Sequence, residues 1–145
     1  MIRMKDDEMG RFSVHVELAN YDDIVQARNG HIPADKVRRL TLQGVVDTGA
    51  ARLVLPENVA NRLGLRRTGD VEVRYANGLK DRRSMAGDVQ LTYQDRTGIF
   101  NAVLEPNRES ALIGAIVLED LDFIVDCSRQ ALVPRDPERI ISEIE

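Results

Sequence analysis

At 145 residues the chain is long enough for one hydrophobic core and too short for two. Hydrophobic residues make up 43% and charged residues 30%, which excludes a chain disordered by composition. The formal net charge of −4 argues against a nucleic-acid binder, which carries a basic excess.

Residues 1–11 are charged and without periodicity, and read as a loose arm. Val14, Val16 and Leu18 then alternate with His15 and Glu17, the period of a half-buried strand. Asn20 to Lys36 is polar, with turn signals at Asn29-Gly30 and Pro33, and reads as a connection. Leu40, Leu42 and Val45-Val46 form an apolar strand that runs into Asp47-Thr48-Gly49-Ala50, and Leu53-Val54-Leu55 is a second short strand. Pro56 suits the first turn of a helix, Val59 and Leu63 share a face, and Gly64 suits its end, so 56–63 is expected to be helical. Val71, Val73 and Tyr75 alternate into Asn77-Gly78, a strong hairpin signal. Val89, Leu91 and Tyr93 form the next strand, and 99–104 follows a turn at 95–98. After the polar loop 105–109 comes Ala111-Leu112-Ile113-Gly114, then one or two helical turns at 116–120 and a closing hairpin of 121–125 with 131–133. Residues 135–145 read as a charged tail or short helix. Many short strands with few helices indicate a mainly β domain over 12–134.

Chemistry concentrates in Val46-Asp47-Thr48-Gly49-Ala50. Asp-Thr-Gly by itself is an ordinary turn sequence. Here it follows an apolar strand, which places the carboxyl group at the edge of the core. About 65 residues later a second apolar strand ends in Gly114, with a hairpin between the two. In this order, Val46 to Ala50, Leu53-Val54-Leu55-Pro56 and Leu63-Gly64-Leu65 are similar to runs in bacterial members of the retropepsin family. These are single-domain aspartic proteases related to retroviral proteases, and the resemblance extends over roughly 12–134.

The resemblance implies a closed or partly open β-barrel of the acid-protease type with one or two short helices. It implies an aspartic endopeptidase in which two carboxylates activate one water. The chain carries one Asp-Thr-Gly, so the second must come from another copy, and a homodimer acting on a peptide or protein is expected. Asp47, Thr48 and Gly49 would be the catalytic residues, with Thr48 hydrogen-bonding across the two-fold axis. Ala50, the hairpin tip Ala76-Asn77-Gly78, and Leu112 and Ile113 would contact substrate, the hairpin of about 73–87 acting as a flap. Two positions depart from viral members: Ala51 stands where they carry an acid, and Ala115 where they carry an Arg. Arg52 also brings a positive charge to the cleft. The alternative is a non-catalytic peptide-binding or dimerisation module on the same fold.

Other residues offer less. His15 and His31 have no metal-ligand spacing, and no cofactor or metal is expected. Cys127, the one cysteine, excludes an internal disulfide and has no histidine nearby in sequence. Ser84 and Ser110 lack a nucleophile-elbow context. The acids Glu119, Asp120, Asp122 and Asp126 lack calcium-loop spacing. No run approaches the roughly 20 apolar residues of a membrane helix, and the charged start, Arg3 to Glu8, lacks a signal peptide's apolar run. A cytoplasmic setting, with no nucleic-acid or membrane partner, is the expectation.

Overall fold

The computed structural model describes residues 11–145. The expected N-terminal arm lies outside these residues except for Arg11. In chain order the elements are β1 (Phe12–Asn20), α1 (Tyr21–Arg28), a 3-10 turn (Ala34–Lys36), β2 (Arg39–Val46), β3 (Leu53–Pro56), α2 (Glu57–Leu63), β4 (Arg66–Arg74), β5 (Lys80–Tyr93), β6 (Arg96–Glu105), β7 (Ala111–Ile113), α3 (Ala115–Leu121), β8 (Phe123–Asp126) and β9 (Ala131–Pro134).

Six strands close on themselves in the order β1-β2-β7-β3-β6-β5, with β5 pairing back to β1. The fold is a β-barrel with short helices outside it, as the sequence leads one to expect. β4 pairs with β5 beyond the ring, and β8 and β9 form a separate hairpin. The alternating residues of β1 explain the closure: Val14, Val16 and Leu18 point inward while Ser13, His15 and Glu17 face out. Leu53 and Leu55 of β3, Leu91 of β5 and Leu104 of β6 meet them, all at most 1% exposed. With almost no aromatic side chains, the centre is filled by Leu, Val and Ile.

β5 serves two structures in one strand. Its first half forms an exposed arm with β4, and its second half belongs to the barrel. The register against β6 shifts between Ala86 and Val89, the irregularity that lets one strand leave the barrel wall.

The segment 20–36 differs from the expected irregular connection: Tyr21–Arg28 is helical. The helix has no apolar stripe to reveal it, and Asp23 is its one buried residue. What starts it is a cap. The Asn20 side chain accepts from the Asp23 N–H at 3.0 Å and donates to the Leu63 carbonyl at 2.9 Å, tying α1 to the end of α2. The α2 helix begins at Glu57, after Pro56, and ends at Gly64 with φ of 65°, the left-handed residue anticipated there. Residues 135–145 form no regular element, yet the stretch is anchored: Asp122 accepts from the Arg135 Nε at 2.7 Å and from the Ile141 N–H at 3.0 Å.

Asp23 accepts three hydrogen bonds from Arg38, from its N–H, Nε and Nη2, at 2.9–3.0 Å. These side-chain hydrogen bonds hold the Asp23 carboxyl below its ordinary pKa, and Arg135 does the same for Asp122. A depressed folded-state pKa adds stability above the unfolded value of about 3.9, and that stability is lost as pH falls through the folded value. Asp23→Asn should cost about 1–2 kcal/mol near neutral pH, discounted because Arg38 is half exposed. Its deficit against the parent should shrink below pH 4. Melting temperatures of both proteins from pH 2 to 7 check this, and a constant difference across that range would contradict it.

Candidate active site

β2 ends in the core at Val46, and Asp47 is the next residue. β2 and β7 run parallel, with Val46 opposite Ile113, and the Asp47 N–H donates to the Ile113 carbonyl at 3.1 Å. Asp47 is thereby fixed at the end of two packed strands. The loop then turns tightly: the Ala50 N–H donates to the Asp47 carbonyl at 3.2 Å, and the Gly49 N–H donates to Asp47 Oδ1 at 2.9 Å. That second bond orients the carboxylate. Its other oxygen, Oδ2, lies 3.2 Å from the Arg11 guanidinium, and the Asp47 side chain is 17% exposed.

The loop is braced from behind by the start of α3. The Ala115 N–H donates to the Ala50 carbonyl at 2.8 Å, and the Ile116 N–H donates to the Ala51 carbonyl at 3.0 Å. Gly114 makes this approach possible, because a side chain there would collide with the backbone oxygens of Arg52 and Ala50.

Beside the loop opens a cleft of about 630 Å³. Gly49, Ala50, Arg52, Val54 and Leu112 line one wall; Val71, Val73 and Tyr75 of the arm line the other. A polar groove of about 510 Å³ lies along the arm, lined by residues such as Asp70, Asp81 and Arg82, away from Asp47. The arm turns at 75–79, where the Tyr75 N–H bonds the Leu79 carbonyl at 2.9 Å and Gly78 adopts φ of 87°. It is tied to the barrel: the Tyr75 hydroxyl donates to Glu105 Oε2 at 2.6 Å, and Arg83 Nε donates to Oε1 at 2.9 Å. The hydrogen bond to the Glu105 carboxylate raises the Tyr75 pKa, so the hydroxyl keeps its proton and remains a donor.

Of the residues singled out in the sequence, the structure brings Asp47, Thr48, Gly49, Ala50 and Leu112 to one end of the barrel. Ala76, Asn77 and Gly78 sit exposed at the tip of the arm and do not line the cleft of the single chain. Ile113 is 1% exposed and faces Gly44 in the core, behind the loop. Tyr75 and Arg83 fall within the hairpin of about 73–87 expected to act as a flap, but Arg11 and Glu105 had no signal in the sequence pointing to this region. Their pairings span 22 to 36 residues and depend on strand register.

Residues 36–120 match the model of the family described as "gag-polyprotein putative aspartyl protease". That span is more than half the chain and runs from before β2 into α3. The chain belongs to this aspartyl protease family. Among solved structures, the EIAV protease complexed with the inhibitor HBY-793 shares the fold, with a TM-score of 0.54 and 18% identity. The alignment covers 77% of this chain and 88% of that one. No curated protein sequence gives a significant match. Among the described residues no group of three or more acids, histidines and cysteine is placed to hold a metal ion. No helix among them is long and apolar enough to cross a membrane.

Proposed function

We propose that this chain is an aspartic endopeptidase whose active unit is a homodimer, with Asp47 of each chain forming the catalytic pair. The observation that carries the reading is the setting of Asp47. It follows the buried Val46, is oriented by the Gly49 N–H at 2.9 Å, and belongs to a loop whose Gly49 and Ala50 line the cleft. The sequence holds a single Asp-Thr-Gly, so one chain has half a site.

In the dimer the two carboxylates would lie about 3 Å apart and share one proton, as close carboxylates must. The ionised one takes a proton from a water held between them. The water oxygen adds to the scissile carbonyl carbon, and the protonated carboxyl gives its proton to the carbonyl oxygen. The tetrahedral species then collapses: the C–N bond breaks, the nitrogen receives a proton from the protonated carboxyl, a hydroxyl of the gem-diol returns one to the other carboxylate, and acid and amine leave with the pair restored. Thr48, exposed in the single chain, is the residue to reach across the two-fold axis. Gly49 and Ala50 admit the substrate backbone, with Leu112 beneath it. The arm tip at Ala76, Asn77 and Gly78 closes over substrate and excludes water. Arg11 would have to give up its contact with Asp47 Oδ2, at small cost for a pair whose cation is 55% exposed.

The test is a peptide-library digest run across a dilution series, with light scattering on the same samples. Cleavage should track the dimer, and specific activity should fall as the dimer dissociates. Full peptidase activity from a strictly monomeric protein would sink the dimer, and the absence of cleavage by a stable dimer would favour a peptide-binding module.

A further inference from the structure

We propose that the cleft selects peptides carrying an acidic side chain close to the scissile bond, received by Arg52 and Arg108. The proposal deepens the protease reading by assigning its substrate class.

The charge in the cleft runs opposite to that of the molecule. The chain carries a net −4, yet the cleft is lined by three arginines, Arg52, Arg74 and Arg108, against two carboxylates, Glu72 and Glu105. Both carboxylates already have partners. Glu105 accepts from Arg83 and from Tyr75, and Glu72 lies 4.0 Å from Arg74. Among the described residues, no carboxylate pairs with Arg52 or Arg108. The cleft therefore keeps two cations with no internal counter-charge.

Their placement favours a ligand role over a solvated rim. Arg52 directly precedes β3, in which Leu53 and Leu55 are buried in the barrel and Val54 lines the cleft. Strand alternation puts Arg52 on the face of Val54. Arg108 lies in the loop between β6 and β7 and is itself partly buried. Its Nε donates to the Ser110 carbonyl at 2.7 Å, which fixes the guanidinium and leaves its terminal N–H groups to donate to a carboxylate in two-point geometry. The same cleft is also lined by apolar Val54, Val71, Val73 and Leu112. A cleft with apolar lining and two uncompensated cations fits an aliphatic peptide carrying one acidic residue, and repels a basic one.

The test uses the full chain under conditions where it is dimeric. Matched peptides place Glu, Gln or Lys at each position flanking one scissile bond. At the responsive position kcat/KM should be about tenfold higher for Glu than for Gln, the size of one charge-assisted hydrogen bond at a partly exposed site, and lower still for Lys. The Glu advantage should fade in high salt and below the ordinary pKa of Glu, about 4.3. Arg52→Glu and Arg108→Glu, each checked by melting temperature, should reverse the Glu-to-Lys ratio. Asp47-dependent cleavage with equal rates for all three peptides would overturn the acidic preference and leave the protease reading standing. If no peptide is cleaved, the protease reading falls instead. Fluorescence anisotropy with labelled Glu and Lys peptides then decides the charge preference alone: tighter binding of the Glu peptide supports it, and equal binding overturns it.

Discussion

Asp47→Asn should give a folded, dimeric protein that no longer cleaves peptides. The substitution preserves size and keeps an oxygen to accept the Gly49 N–H, so the loop retains its geometry. It removes the proton acceptor, and in a homodimer it removes both copies together. Loss of a general base costs about 10²–10⁴-fold in rate, and loss of the pair costs at least that. Stability should hold or rise. The dimer sheds the repulsion of two crowded carboxylates, while the lost contact with half-exposed Arg11 is worth well under 1 kcal/mol. Cleavage assays beside calorimetry at neutral pH separate the possibilities. An Asn variant as active as the parent would end the protease reading. An inactive, unfolded one would make Asp47 a structural turn residue.

How much of this was legible in the sequence depended on whether the signal was local. The alternation of β1, the Pro56 and Gly64 boundaries of α2 and the Asn77-Gly78 turn are local, and each falls where the residues point. α1 was not legible, because it is held by one cap and one half-buried ion pair and not by an apolar stripe. The site divides the same way. Asp47-Thr48-Gly49 can be read from a strand that ends in the motif. The arm's attachment through Tyr75, Glu105 and Arg83 cannot, since a pairing 22 or 30 residues apart exists only once β4, β5 and β6 are in register. The expectation that the arm tip contacts substrate also rests on something no single chain displays. The tip stands away from the cleft wall here and would meet substrate in an assembled, closed site.

Gly114→Ala should damage both stability and activity, and more than the same change at Gly44. A methyl group at Gly44 would come within 2.9–3.0 Å of the Ile113 side chain, which can shift by a rotation. At Gly114 it would strike the backbone oxygen of Arg52 and lie 2.8 Å from that of Ala50. The Ala50 carbonyl cannot retreat freely, because it accepts from the Ala115 N–H, and the neighbouring Ala51 carbonyl, which precedes Arg52, accepts from the Ile116 N–H. Relief requires the Asp47 loop to part from α3. Overpacking against fixed atoms places the cost near 3 kcal/mol, against about 1 kcal/mol for Gly44→Ala. For a chain of this length that is about 10 °C of melting temperature. Because the displaced loop carries Asp47, activity should drop further than dimer content does. Hydrogen exchange should quicken at the N–H groups of Ala115 and Ile116 before it does in β1. Equal, small effects at both glycines would mean that the loop is not braced through Gly114.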